Sequence, residues 1–464
     1  MPIFEKDTPL SPQSIIRSGL CIGCGSCVAQ ADHSGPQMDF DRFGQYKPSA
    51  SPEWLRTPSA RFSRTCPFSP GAKNEDELAA EQFPTAQHHD PLIGRYQTAY
   101  VGYVAEENFR EWGSSGGMVS WAATELLRKG LVDGVAHVVA TANPQEEQRF
   151  FRYQISRTEE AVRTGAKSRY YPVELSEVIK TIHSEPGRYA VIGVPCFIKA
   201  LHLLRAEDAV LHERVVFTLG LFCGHMKSAR MVESFAWQMG VSVEEIERVD
   251  YRLKNPDRPA NWYTTHFTLR DGRTVWKDWW HLVDGDWGAG FFQNSACNFC
   301  DDVVAETADI SFGDAWAEPY ASDGRGTNVI VVRSPILQEL ITAAIDEGRL
   351  KLEPVDNKFV EQTQAAGFRQ RREGLAYRLS WPRFGIQPRK RVAPDSRTLS
   401  FRRKFIYRMR SQITTWSHRM FWLARLARRP AVYIRWASMA LTIYHGLAYS
   451  RGKLGKLIDR LGIH

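Results

Sequence analysis

The sequence predicts a mixed α/β (α+β) protein in three parts. A small domain bearing clustered cysteines is expected over residues 1–90, a mixed α/β domain over 91–388, and a basic amphipathic helical tail over 389–464. Three observations carry this reading. From about residue 96 to residue 335, apolar runs alternate with stretches of helical periodicity, which favours α/β packing over a bundle or a sandwich. Near the start, three cysteines fall within one short run, and at the other end the charge turns strongly positive.

In the first part, the run Cys21-Ile-Gly-Cys24-Gly-Ser-Cys27 is followed by Cys66-Pro67. Three thiolates two residues apart can curl around one face of a cubane. Gly23, Gly25 and Ser26 let the backbone bring N–H groups to the sulfides, and the last ligand of such a site is typically followed by proline. Zinc sites use separated Cys-x2-Cys knuckles, so the tight run argues for iron. Cys21, Cys24, Cys27 and Cys66 are therefore the expected ligands of a 4Fe–4S cluster, and residues 1–90 are expected to form a ferredoxin-like iron–sulfur domain ahead of a catalytic domain over 91–388. The polar stretch 71–89, with Lys73-Asn-Glu-Asp-Glu77, reads as a linker or a solvent-exposed helix.

In the second part, strands are expected at 100–105, 132–140, 189–194, 215–222, 310–313 and 328–332, with helices at 116–129 and 197–204. The other four cysteines, Cys196, Cys223, Cys297 and Cys300, each lie at or beside a turn signal after an apolar stretch. A strand end or a turn is where a ligand can leave the sheet and point into a shared site. Four thiols suit a second 4Fe–4S cluster. The alternative is a pair of small buried core cysteines with a zinc knuckle at Cys297 and Cys300. Cys196 as a nucleophile lacks a base fixed beside it by sequence. Residues 1–30 show no basic-then-apolar leader, so a reducing cytoplasm is the expected setting and a disulfide framework is not.

The join Trp112-Gly-Ser114-Ser115-Gly116-Gly117 comes after an expected strand and opens an expected helix. Backbone N–H groups there suit phosphate oxygens, although Ser-Gly is also an ordinary helix entry. Lys167-Ser168-Arg169-Tyr170 could neutralise a pyrophosphate or an anionic substrate, or simply be solvated. No Gly-x-Gly-x-x-Gly follows a strand, so a nicotinamide-type site lacks sequence support. Trp276, Trp279, Trp280 and Trp287 could shield a cofactor or pack a core.

The chain has 464 residues, 43% apolar and 24% charged, ordinary for a globular protein with a substantial core. Its formal charge of +8 is unevenly placed: residues 389–464 carry 18 Lys and Arg against only Asp395 and Asp459, leaving the preceding chain acidic. Apolar and aromatic residues recur there at helical spacing among arginines. That pattern suits peripheral contact with an anionic membrane surface, a partner protein or the chain's own body. Arg435 interrupts the most apolar stretch, which is too short to span a bilayer. No recognition module accompanies the charge, so nucleic acid is not an expected partner.

Taken in order, these motifs resemble the family of the beta subunit of coenzyme F420-reducing hydrogenase and dehydrogenase, to which 7-hydroxymethyl chlorophyll a reductase also belongs. The resemblance runs over roughly residues 15–335, about two-thirds of the chain. Besides the motifs above, it includes Gly193-Val-Pro-Cys-Phe-Ile-Lys-Ala200, Phe222-Cys-Gly224 and Cys297-x2-Cys300-Asp301. It ends with Ala308-Asp-Ile-Ser-Phe-Gly-Asp-Ala-Trp316 and Thr327-Asn-Val-Ile-Val-Val-Arg333. The resemblance implies a flavoprotein oxidoreductase with FAD in the α/β domain, exchanging a hydride with a deazaflavin coenzyme or another organic molecule and single electrons with the clusters. It also implies Cys196, Cys223, Cys297 and Cys300 as one ligand set and flavin contacts at residues 114–117 and 167–170. Asp301 and Asp314 would lie beside a cluster or the flavin edge, or serve only as caps. A redox partner such as a ferredoxin or a hydrogenase-type subunit is implied, together with a small-molecule hydride donor or acceptor. The alternative is a non-catalytic electron-relay subunit docked through its basic tail. No general acid is named by the pattern.

Overall fold

A computed structural model describes residues 8–31, 35–383 and 385–460. Its centre is a mixed eight-stranded sheet. In chain order the strands are β1 (Thr98–Val104), β2 (Gly134–Ala140), β3 (Phe151–Ser156), β4 (Tyr189–Gly193), β5 (Val215–Leu221), β6 (Ile310–Asp314), β7 (Asn328–Val332) and β8 (Leu350–Val355). Across the sheet the order is β8-β1-β7-β6-β5-β4-β2-β3. The inner strands β2, β4, β5 and β6 run parallel, and the flanking pairs are antiparallel.

The inner strands are apolar runs because both faces of the sheet are covered. Every residue of β4 and β7 is buried. Alternate side chains serve opposite faces, as the two-residue period of a strand requires. Ala190 and Ile192 join a core with Trp121, Leu126 and Ile341, whereas Tyr189 and Val191 join one with Phe197, Leu201 and Leu204. The helices covering the two faces include Met118–Arg128 on one side and Pro195–Arg205 on the other. That second core also takes in Leu10, Ile15, Leu20 and Phe62. The N-terminal part is thus fastened to the sheet through the helix that starts beside Cys196.

The six expected strands and two expected helices all form, with shifts of a few residues at their ends. Two edge strands, β3 and β8, escape the apolar-run criterion because an edge strand alternates polar with apolar: Arg152 and Gln154 in one, Lys351 and Glu353 in the other. A separate three-stranded antiparallel sheet, Ile246–Asp250, Thr264–Leu269 and Thr274–Asp278, is likewise of mixed polarity. Within 71–89, Glu75–Gln82 is a helix closed by a reciprocal Asn74–Glu77 capping box. It is docked on the body: Leu78 and Ala79 are buried, and buried Glu75 meets Lys199 at 3.1 Å.

The tail is two long helices, Phe401–Leu426 and Pro430–Tyr449, followed by Gly452–Arg460. The long pair lies on the body. Phe421 stacks on Trp237 at 4.3 Å, the Tyr433 hydroxyl donates to Asp284 at 2.9 Å, and Ser417 Oγ accepts from the Phe292 N–H at 3.0 Å. Several tail cations meet acids of the body: Lys390 with Asp301 at 3.1 Å, Arg391 with Glu306 at 2.6 Å and Arg425 with Glu233 at 2.7 Å. Part of the charge asymmetry is therefore internal complementarity. Among the described residues, no helix is long and apolar enough to cross a membrane.

Candidate functional site: two thiol sets and a cationic pocket

All eight cysteines are free thiols. Cys21, Cys24, Cys27 and Cys66 line one small cavity walled by Ile15, Phe62, Pro67 and Phe68. The chain turns tightly there because Gly23 and Gly25 take φ of +81° and +83°, the region glycine favours. A Cβ on Gly25 would lie 2.3 Å from Glu174 Oε2, so the close approach also demands glycine. The Leu175 N–H holds the Cys24 carbonyl at 2.9 Å, and Lys47 Nζ holds that of Cys21 at 2.6 Å. Cys66 caps the helix Ala60–Thr65.

The other four thiols converge from three places. Cys196 is in the first turn of the helix that follows β4, and Cys223 lies just beyond β5, the adjacent parallel strand. Adjacent parallel strands present their carboxyl ends side by side, where α/β sheets commonly bind ligands. Cys297 and Cys300 sit on and just after a single 3-10 turn, Ser295–Phe299. The Met226 N–H donates to Cys297 Sγ at 3.3 Å, and the Cys223 N–H donates to the Val303 carbonyl at 2.9 Å. Buried Arg371 ties the group together by donating to the carbonyls of Cys297 (3.1 Å), Cys223 (3.2 Å) and Gly224 (2.5 Å).

Burial pushes these thiols up: Cys24 and Cys297 to about 11, and Cys27 and Cys196 well above their ordinary value. Arg371 acts in the opposite direction on Cys223, Cys297 and Cys300. Cys196 also feels the charges of Cys300, Cys223, Cys297 and, across the shared core, Cys24. Through Cys24 and Cys196 the two sets share one core. Among the described residues, no three His, Cys, Asp or Glu side chains stand close enough to share a single metal ion. A cubane is larger than an ion and spreads its ligands further apart. The donor chemistry fits one at each set: thiols in an apolar wall on a glycine-bearing turn at the first, and four thiols with a backbone N–H aimed at Cys297 Sγ at the second.

The second feature is a pocket lined by Ser114, Arg252, Lys254, Asn255, Trp262 and Tyr263, among others. It joins several stretches that the sequence singles out. Ser114 Oγ accepts from the Ser168 N–H at 2.8 Å. Asp314, at the end of β6, pairs with Arg252 through both oxygens at 2.9 and 3.2 Å. Tyr170 packs among Tyr263, Trp279 and Trp287.

Other members of those stretches are occupied elsewhere. Ser115 Oγ donates to the Thr327 carbonyl at 2.9 Å, and Gly116 lies where a Cβ would come within 2.8 Å of the Gly102 carbonyl oxygen. Gly117 caps the following helix with φ of +86°. Lys167 pairs with Asp250 at 3.2 Å, and the Arg169 guanidinium lies 4.9 Å from the centre of the Phe151 ring. Asp301 is beside Cys300, under Lys390 and Arg391. Of the tryptophans, Trp279 is core, Trp287 stacks on His225 at 4.3 Å, and Trp276 and Trp280 are exposed.

The residues missed by sequence reasoning are the cations. Lys254 donates to the carbonyls of Ser115 (2.9 Å) and Arg110. Burial, with Lys167, Arg110 and Arg252 nearby, pushes its pKa down to about 7. Arg252, Lys254 and Arg371 sit in stretches with no distinctive motif, and only the fold gives them a common purpose. Arg252 is already paired with Asp314, so Lys254 is the cation that the phosphate end of a flavin would meet in this pocket.

Family models of the coenzyme F420 hydrogenase/dehydrogenase beta subunit match the chain twice, the N-terminal model over residues 99–180 and the C-terminal model over residues 187–358. The chain is 23% identical over 356 residues to a coenzyme F420-dependent sulfite reductase of Methanocaldococcus jannaschii, covering 74% of this chain but only 48% of that protein. It is 22% identical over 356 residues to one of the subunits that make up the F(420)H(2) dehydrogenase of Methanosarcina mazei, covering 73% of this chain and 86% of the relative. In fold it is similar to a chain of the F420-reducing [NiFe] hydrogenase complex from Methanosarcina barkeri, with a TM-score of 0.50 and 16% identity, over 66% of this chain and 99% of that one. Matched through most of its eight-stranded sheet and the loops carrying Cys196, Cys223, Cys297 and Cys300, the chain belongs to the coenzyme F420 hydrogenase/dehydrogenase beta subunit family.

Proposed function

We propose that this chain is an iron–sulfur flavoprotein oxidoreductase. It would hold one 4Fe–4S cluster on Cys21, Cys24, Cys27 and Cys66, a second on Cys196, Cys223, Cys297 and Cys300, and FAD at the pocket beside Ser114. Coenzyme F420 or another organic molecule is the hydride partner. The observation that carries this reading is the gathering of thiols from residues 21–66 and residues 196–300 around one core, to which both Cys24 and Cys196 belong. The names of the relatives support the deazaflavin coenzyme and a partner redox subunit.

When bound, the clusters supply single-electron transfer and the flavin converts between single electrons and a hydride. The chain's own residues set the conditions. Phe62, Pro67 and Phe68 wall the first thiol set. Arg371 offsets the negative charge of the second set, and the Met226 N–H bonds Cys297 Sγ. The helix Pro195–Arg205 fixes the spacing between the sets. Lys254 would meet an anion in the pocket beside Ser114, while Arg252 is held and balanced by Asp314.

The test is anaerobic purification with iron, acid-labile sulfide, zinc and released flavin measured per chain. About eight irons, eight sulfides and one FAD are expected for two clusters and one flavin. About four irons with zinc and no flavin would overturn the reading. A bound flavin that exchanges no hydride with a deazaflavin or any other organic partner would leave an electron-relay subunit instead.

A further inference from the structure

We propose that the outer face of the C-terminal helical hairpin is a docking surface for an anionic lipid bilayer. Nine of the fourteen large apolar side chains exposed among the described residues lie between Phe401 and Leu457. They are ordered. In the helix Phe401–Leu426, the exposed positions 401, 405, 408, 412, 416, 419, 423 and 426 recur in steps of three and four, which is one face of a helix. That stripe reads Phe, Phe, Arg, Gln, Trp, Arg, Leu, Leu. The opposite face, with Tyr407, Ile413, Phe421 and Ala424, is already buried against the body.

An ordinary solvated face would be polar, with acids offsetting its bases. Here no Asp or Glu occurs between Asp395 and Asp459. Arg425 pairs with Glu233 of the body. Arg408, Arg419, Arg428, Arg429 and Arg435 are all exposed. Arg419 lies against the Trp416 ring at 5.2 Å, so charge and aromatic surface are presented together. The second helix adds exposed Met439 and Ile443.

A 26-residue helix presents this stripe along about 39 Å. Arginines interleaved with aromatic and aliphatic side chains match the headgroup layer, where guanidinium groups meet lipid phosphates and apolar tips enter the acyl boundary. Such attachment is peripheral, as no described helix can span the bilayer.

The test uses the full-length chain in co-sedimentation with vesicles, read independently of any redox assay. Binding is expected to vesicles of phosphatidylcholine mixed with phosphatidylglycerol, weak or no binding to phosphatidylcholine alone, and release at high salt. The double variant Arg419→Glu/Arg435→Glu, and separately Trp416→Ser/Leu423→Ser, should each lower binding by about tenfold or more. All four positions are exposed, so folding is preserved and is checked by circular dichroism. Absence of binding to the anionic vesicles overturns the proposal, as does equal binding by the variants. A protein partner captured by this face without any vesicle affinity overturns it too.

Discussion

Cys24 and Cys196 are 172 positions apart in the sequence, yet each belongs to the core that holds the other. Their separate contexts make a clean experiment. Replacing Cys196 with Ala is expected to remove about four irons per chain while leaving the first cluster, and Cys24→Ala should do the converse. Iron and sulfide analysis of both variants checks this, and complete loss of iron from either would show that the two sets assemble only together. Lys254 makes a second prediction. Its folded pKa of about 7 lies below the unfolded value, so above about pH 7 the folded chain holds fewer protons there than the unfolded chain, and this group's contribution to stability rises with pH until its unfolded pKa is passed. Anion binding has the opposite sign, because it needs the ammonium. Affinity for inorganic pyrophosphate, measured calorimetrically, should weaken by up to about tenfold per pH unit above about pH 7. Lys254→Gln should flatten that dependence; an unchanged slope would place the titration on another group.

At the scale of elements, the short helix Glu75–Gln82 shows how a polar stretch becomes structure. Its first turn carries Glu75, Asp76 and Glu77, which suit the positive end of the helix dipole. The Asn74 side chain accepts from the Glu77 N–H at 2.9 Å, and the Asn74 N–H is in turn capped by Glu77 at 2.7 Å. Asn74→Ala should cost about 1 kcal/mol in thermal unfolding. A larger loss would mean that the cap also supports the buried Glu75–Lys199 pair. The helix Pro195–Arg205 matters more to the site, since it carries Cys196 at its start and packs Phe197, Leu201 and Leu204 between the sheet and the N-terminal part.

At the scale of the whole molecule, the C-terminal helices are a wall of the core. Tyr433, Phe421 and Ala437 share a cluster with Phe235, Phe291 and Phe292. A chain ending at residue 400 would expose those aromatic rings, at about 2 kcal/mol for each large side chain uncovered, and would strand Asp284 without the Tyr433 hydroxyl. The shortened chain is expected to bind a hydrophobic dye and lose cooperative unfolding; an unchanged melting temperature would show that the helices are an appendage. The membrane face and this core face belong to the same helices. Stability and docking are therefore separable only by substitutions at outward positions.

The sequence by itself determined the strongest part of the chemistry. A ligand run such as Cys21, Cys24 and Cys27 is local, its glycines are local, and the apolar runs of β4, β5 and β7 are visible because those strands are buried on both faces. It also placed Cys196 and Cys223 at strand ends. Tertiary structure decided the rest. Arg252 and Arg371 look like ordinary surface bases until folding buries them against Asp314 and the carbonyls beside the second thiol set, and Lys254 until it is drawn, half-buried, onto two carbonyls. β3 and β8 hide their role because an edge strand is polar on alternate positions. The arginines at 391 and 425 read as a loose basic tail until Glu306 and Glu233, distant in sequence, are brought to meet them. Local spacing can specify a turn, a cap or one ligand run, but charge compensation and the meeting of the second thiol set depend on long-range contacts that no short window of sequence contains.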